Sequence, residues 1–132
     1  MKLTVDTNFL ISSTQWDYSV AHKLLQKLIR KNIEIFTTKD ILEEFADVLK
    51  RDFQYNNGEV ENIISKVMQF AKIIITENKV NVVKEDPDDD KVIECAIDSE
   101  SKYIITYDKH LLKIGEYEEI KIIRSEEAML IL

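Results

Sequence analysis

The chain holds one cysteine, Cys95, so it cannot close an internal disulfide. That usage predicts a reducing, cytoplasmic setting. Two histidines and one cysteine are too few for a Cys/His zinc site. Proline occurs once, at Pro87, and glycine only at Gly58 and Gly115, which leaves no linker-like stretch. No uninterrupted apolar run approaches a membrane span, so no membrane association is expected. The opening Met1 to Asp6 puts an acid where a secretory leader needs its apolar stretch, which predicts a chain without one. Basic residues are in deficit: Lys plus Arg is 18 against 25 Asp plus Glu, a net charge of −7. Such a chain is a poor non-specific nucleic-acid binder, and to act on nucleic acid it needs something that reverses the local sign. A bound metal is the obvious candidate.

What is present is ordinary for a globular protein. Hydrophobic residues make up 45% and charged residues 33%, which rules out a wholly disordered chain. At 132 residues, one domain over 1–132 is expected, burying about two-thirds of the surface its unfolded form exposes.

The hydrophobic pattern alternates between strand-like and helix-like stretches. Leu3 to Val5 is a short apolar run ending at Asp6, a first strand. Val20, Leu24, Leu25, Leu28 and Ile29 recur at helical spacing. Ile33 to Phe36 reads as a second strand, and Thr37 or Thr38 as the cap of a helix carrying Ile41, Leu42, Phe45, Val48 and Leu49. Asn56-Asn57-Gly58 reads as a turn before a helix through Val60, Ile63, Ile64, Val67 and Ala71. Ile73 to Ile75 and Val80 to Val83 are extended candidates, and Pro87 suits the first turn of a helix through Val92, Ile93, Ala96 and Ile97. Tyr103 to Thr106 is a strand, Lys109 to Ile114 a short helix, Ile120 to Ile123 a last strand, and Ser125 a cap for a terminal helix. Strands separated by helices predict βαβ units and a mainly parallel sheet covered on both faces.

Ligands of open α/β sheets sit beyond the carboxyl ends of the strands. Asp6 ends the first strand, and Asp108 follows the strand ending at Thr106, so both belong on that edge. On the helix through Ile41, Glu44 falls about 100° from the centre of the apolar stripe, while Glu43 and Asp47 fall about 160° away. On the helix through Val92, Asp89 lies within about 10° of the stripe, with Asp88 and Asp90 about a right angle off or more. That second argument requires the helix to include position 89. Asp6, Glu44, Asp89 and Asp108 are thus expected to converge. Alone they would repel one another. An all-oxygen set suits a hard cation such as Mg²⁺ or Mn²⁺, which binds phosphate and lowers the pKa of a bound water. The chemistry so implied is metal-assisted phosphodiester hydrolysis.

Four stretches carry a family resemblance. Val5-Asp6-Thr7-Asn8-Phe9-Leu10 resembles the opening motif of PIN-domain nucleases, and Ile41-Leu42-Glu43-Glu44-Phe45 resembles their second acidic motif. Asp86-Pro87-Asp88-Asp89-Asp90-Lys91-Val92-Ile93-Glu94-Cys95-Ala96 resembles the third, and Ile104 to Leu112, including Thr106-Tyr107-Asp108, the fourth. All four occur in the family's order, and the nearest resemblance is to prokaryotic PIN toxins of toxin–antitoxin pairs. The resemblance implies a three-layer α/β/α sandwich with a mainly parallel sheet of about five strands. It implies an Mg²⁺- or Mn²⁺-dependent endoribonuclease acting on RNA, with Asp6, Glu44, Asp89 and Asp108 as metal-binding, catalytic acids. It further implies that Asn8 braces the site by hydrogen bonding, that Thr106 places its hydroxyl there, and that the protein forms a homodimer silenced by a small antitoxin protein. Tyr107 departs from the pattern, standing where a small residue is common, and Asp86, Asp88 and Asp90 compete with Asp89 for the third ligand position.

Each residue also has a plainer reading. Asp6 and Asp108 are positioned to cap the helices after them, Glu44 is a possible solvated helix acid, and Asp89 suits a first turn without any metal. The run from Asp86 to Asp90 lacks the Gly and the later Glu of a calcium loop. Lys109, His110 and Lys113 lie close to Asp108, where Lys109 and Lys113 are candidates for phosphate contact. Lys23, Lys27 and Arg30 share a helix face that is more commonly just solvated. Trp16 and Tyr18 are candidates for packing or for stacking on a base, and Cys95 reads as a small helix filler. The alternative to a nuclease is a non-catalytic PIN-like module that binds RNA or protein. A phosphoacceptor receiver is excluded by pattern, since the first strand ends in a single acid followed by Thr7-Asn8.

Overall fold

Short runs of branched apolar residues become strands, and the amphipathic stretches between them become helices. The structure, a computed structural model, describes residues 1–132. Strand β1 (Lys2–Val5) leads into helices α1 (Thr7–Gln15) and α2 (Val20–Arg30), strand β2 (Glu34–Thr37), helices α3 (Lys39–Asp52) and α4 (Asn57–Val67), and strand β3 (Ala71–Ile73). A long connection and a 3-10 turn (Pro87–Asp89) then enter helix α5 (Asp90–Asp98). After it come β4 (Tyr103–Ile105), α6 (Lys109–Ile114), β5 (Glu116–Tyr117), β6 (Ile120–Ile123) and α7 (Ser125–Ile131). No helix is long and apolar enough to cross a membrane.

The six strands lie in the order β3-β2-β1-β4-β6-β5. Every pair is parallel except β5 with β6. The sixth strand, beyond the five expected, is the two-residue β5, formed where Gly115 at φ 75° ends α6 and turns the chain back. From β1 the chain moves outward through β2 to β3, then crosses back to β4 on the other side of β1. Right-handed crossovers therefore set α1 to α4 on one face and α5 and α6 on the other. A single cluster of 29 buried residues forms the core, with Phe9, Phe45, Leu24, Leu28, Ile93 and Ile104 among those fully enclosed.

Helix α1 escaped the sequence reading because Phe9-Leu10-Ile11 is followed by a polar stretch, with no stripe at helical spacing. Several boundaries also move. Asn56 caps α4 through a reciprocal bond with Glu59, so the expected turn is a helix start. Thr38, not Thr37, caps α3. Ser125 lies inside α7, which Arg124 precedes without a side-chain cap. Lys27, from the basic face of α2, donates to the Met129 carbonyl at 2.9 Å and so ties α2 to α7. Cys95 is buried, and that burial pushes its thiol up to about 12, which leaves it a filler without thiolate chemistry.

Residues Val80 to Val83 are extended but join no sheet. Their N–H groups are met by carboxylates spaced four apart along α5. Asp90 accepts from Val82 N and Val83 N, each at 2.9 Å, and Glu94 accepts from Val80 N at 3.1 Å. Asp98 accepts from Asn78 N at 3.1 Å and also from Glu77 N. Asp90 is accordingly buried, and its carboxylate is committed to this backbone. Replacing it with alanine leaves a buried N–H without a partner and is expected to cost about 2 kcal/mol in urea unfolding. Asp88→Ala, at an exposed carboxylate, should change stability by less than about 0.5 kcal/mol.

Candidate metal centre

The reversal of chain direction between β1 and β4 opens a crevice at their carboxyl ends, the usual ligand position of such sheets. Val5 pairs with Ile105 in register, so the next residues, Asp6 and Thr106, meet. Thr106 donates its hydroxyl to Asp6 Oδ2 and accepts from Asp108 N at 2.9 Å, joining the two strand-end acids. Asp6 also caps α1, accepting from Phe9 N at 2.9 Å. Asp108 caps α6 through Oδ1, which accepts from His110 N at 2.8 Å and Leu111 N at 3.1 Å. The capping roles and the site placement therefore coincide in the same side chains.

The tightest cluster is Asp86, Asp89, Asp108 and His110, whose ligand atoms all lie within 4.8 Å of one another. Helix α5 begins at Asp90, so Asp89 belongs to the 3-10 turn before it and the helical angle used for it does not apply. Asp86 caps that turn, and Asp89 N donates to the Asp86 carbonyl at 3.0 Å, which closes the turn and brings the two acids together. The Asp-Pro pair three residues before Asp89 is the sequence signal for Asp86. Asp88 is exposed. Asp6 and Glu44 lie outside the tight cluster; the charge of Asp6 acts on Asp89, and that of Glu44 on Asp6. Glu44 is paired with Lys91 across the gap between α3 and α5, and its side chain is 46% exposed. Lys91 was not foreseen: its partner is 47 residues away in sequence.

Asn8 is exposed in the first turn of α1 and makes no side-chain hydrogen bond to the acids. Lys113 sits 3.5 Å from Glu85, while Lys109 is exposed next to Asp108. His110 is beside the acids, with its Nδ1 3.9 Å from Asp108 Oδ1.

Burial and crowding raise the acids' affinity for protons. Burial holds Asp6 at about 6, against the bonds from Thr106 and Phe9 N that favour its ionised form. Asp89 is pushed up to about 8, first by burial and then by the charge of Asp108, with which it can share a proton. Asp89 Oδ2 is buried and has no hydrogen-bond partner. An orphaned carboxylate oxygen facing other carboxylates fits a divalent cation, and the oxygen-rich donor set suits a hard one.

Residues 2–110 match the family model of the PIN domain, and the chain belongs to that family. It is similar to the uncharacterized protein MJ1680 of Methanocaldococcus jannaschii, 28% identical over 120 residues, covering 88% of this chain and 76% of that protein. Its fold is shared with VapBC2 from Rickettsia felis, solved bound to a DNA fragment from their promoter. That match has a TM-score of 0.66 and 13% identity, over 94% of this chain and 98% of that one. PAE2754 from Pyrobaculum aerophilum matches with a TM-score of 0.64 and 16% identity, over 98% of this chain and 93% of that one. The three-layer, mainly parallel sandwich is thus the PIN fold.

The raised acids give stability a defined pH dependence. Between about pH 4 and about 8 the metal-free folded protein keeps protons that the unfolded chain has released, so raising the pH favours unfolding. Ionising Asp6 alone is worth on the order of 3 kcal/mol in this direction. Melting in EDTA should therefore give a Tm that falls from pH 5 to 8, a flatter profile for Asp89→Asn, and recovery of Tm on adding Mn²⁺ or Mg²⁺ at pH 8. A flat wild-type profile would contradict the assignment.

Proposed function

We propose that this chain is a metal-dependent endoribonuclease that hydrolyses RNA phosphodiester bonds, and that it serves as the toxin of a type II toxin–antitoxin pair. The observation that carries the reading is the acid cluster at the reversal of the sheet, with the unpartnered Asp89 Oδ2 inside it. Membership of the PIN domain family supports nuclease chemistry. Asp89, Asp108 and Asp86 would hold Mg²⁺ or Mn²⁺, with Asp6 and Glu44 completing the negative field. When bound, the cation supplies positive charge for the phosphoryl oxygens and lowers the pKa of water.

The chain's own residues prepare that site. Thr106 fixes the orientation of Asp6 and the backbone of Asp108. Lys109, exposed beside Asp108, is the freer of the two candidate phosphate contacts, because Lys113 faces Glu85. The likeness to the Rickettsia felis VapBC2 structure supports a small antitoxin as partner, and self-association as a homodimer is part of the same reading. A single cysteine and a chain without long apolar helices accord with work in the cytoplasm. The whole chain would act as one domain.

A second reading, a non-catalytic PIN module, draws on the Glu44–Lys91 pair, which occupies one expected ligand. A cleavage assay on mixed structured and unstructured RNAs, with EDTA, Mg²⁺ or Mn²⁺, separates the two. Cuts are expected only with metal, and Asp6→Asn should lower the rate about a hundredfold or more while keeping the wild-type circular dichroism. Cleavage by Asp6→Asn at the wild-type rate would overturn the nuclease reading, and absence of both cleavage and calorimetric metal binding would favour the module.

A further inference from the structure

Beside the acids runs a groove of about 550 Å³ between α1 and α3. Its two rails are set by helical spacing. On α1, Asn8 and Ser12 lie four residues apart and Trp16 is the residue that ends the helix; on α3, Val48 and Asp52 lie four residues apart. Tyr107 closes the end nearest the acids. Each rail starts at the metal centre: Asn8 is two residues from Asp6, Val48 is one turn from Glu44, and Tyr107 adjoins Asp108. The groove is thus a continuation of the centre, and one helical turn of about 5.4 Å separates its near end from Glu44.

The far end is aromatic. Trp16 is 52% exposed, unusual for a residue of that size, and its ring centroid is 5.7 Å from that of Phe53. Phe53 in turn stacks on Tyr55 at 6.0 Å, and the Tyr55 hydroxyl donates to Gln15 Oε1 at 2.8 Å, bracing the rings across the two helices. The one carboxylate on this stretch, Asp52, is neutralised by Arg51, whose Nε lies 2.9 Å from Oδ1. A wide, braced aromatic surface whose one lining acid is paired, about 12 Å along α1 from Asn8 at the near end, has the properties of a base-stacking platform.

We infer that this groove is a substrate subsite that stacks an unpaired nucleobase a nucleotide or two beyond the scissile phosphate, with Trp16 as its principal contact. The inference rests on the nuclease reading above and deepens it. The base it takes lies outside a duplex, because within a helix both faces of a base are covered by stacked neighbours. Asn8 stands at the near end, where its amide is able to meet the polar edge of a base.

Trp16 is the only tryptophan in the chain, so its emission reports on the groove directly. The experiment mixes the full-length protein in Mg²⁺ with a single-stranded RNA hexamer in a stopped flow, reading emission ahead of cleavage. An abasic hexamer with the same phosphates is the control. Saturable quenching by the RNA and none by the abasic strand is expected. Trp16→Ala should weaken binding and raise KM about tenfold with kcat little changed, and Trp16→Phe should restore most of the loss. Asp6-dependent cleavage with unquenched Trp16, and a Trp16→Ala variant that binds as well as wild type, would overturn the subsite and leave the nuclease standing. Base-dependent quenching with neither cleavage nor calorimetric metal binding would overturn the nuclease and, with it, the groove's role as a substrate subsite, leaving a groove that only binds RNA. An emission change caused by a copurifying protein, and by no oligonucleotide, would give the groove to a protein partner and overturn the inference.

Discussion

The pairing of β1 with β4 is the constraint on which the site depends. These strands are distant in sequence and adjacent in space, and the chain's direction of travel reverses between them. Because Val5 lies in register with Ile105, the chain delivers Asp6 and Thr106 to the same point, and Asp108 follows two residues on. A slip of one residue would turn Asp6 or Thr106 to the opposite face of the sheet. Register is fixed by the branched residues that fill both faces, Leu3 and Val5 against Ile104 and Ile105, all fully enclosed. The core therefore determines the geometry of the acids, and the charged site is a consequence of apolar packing.

The acids themselves serve in distinct ways. Asp6 and Asp108 each satisfy the first free N–H groups of a helix while contributing to the negative cluster. Asp90, Glu94 and Asp98 are spent on an extended backbone segment, standing in for the neighbouring strand it lacks. Asp89 alone has a buried oxygen with no partner, which marks it off from its neighbours in the same acidic run. Charge density alone would not have separated these roles; hydrogen-bond accounting does.

Much of this was legible in the sequence. Short apolar runs identified β1, β2, β4 and β6, whose buried positions are mostly contiguous, and one-sided apolar spacing identified α2 to α5. Asp6 and Asp108 could be assigned to one edge from topology alone, while Glu44, expected to flank the buried stripe of α3, is an exposed side chain paired with Lys91. Helix α1 was missed because its start is fixed by a cap, Asp6, while its hydrophobic residues are consecutive. Val80 to Val83 carries a strand's composition, yet its hydrogen bonds go to side chains that lie later in the sequence. The angle assigned to Asp89 assumed an α-helix where the structure has a tighter turn, and that same turn brings in Asp86. The Glu44–Lys91 pair and the place of His110 depend on how elements pack, which no single stretch of sequence encodes.

The two outermost strands are short: β3 has three residues and β5 has two. An unpaired strand edge is a template on which another chain can add, and its hazard grows with the number of free N–H and C=O groups it offers. Here both margins of the sheet offer very few, and the four-residue strands β1, β2 and β6 lie inside. Continuation of the sheet from one molecule into the next is thereby closed off. Contact between copies is steered instead toward the helices, where side-chain shape and charge, rather than indiscriminate backbone pairing, decide which partner is accepted.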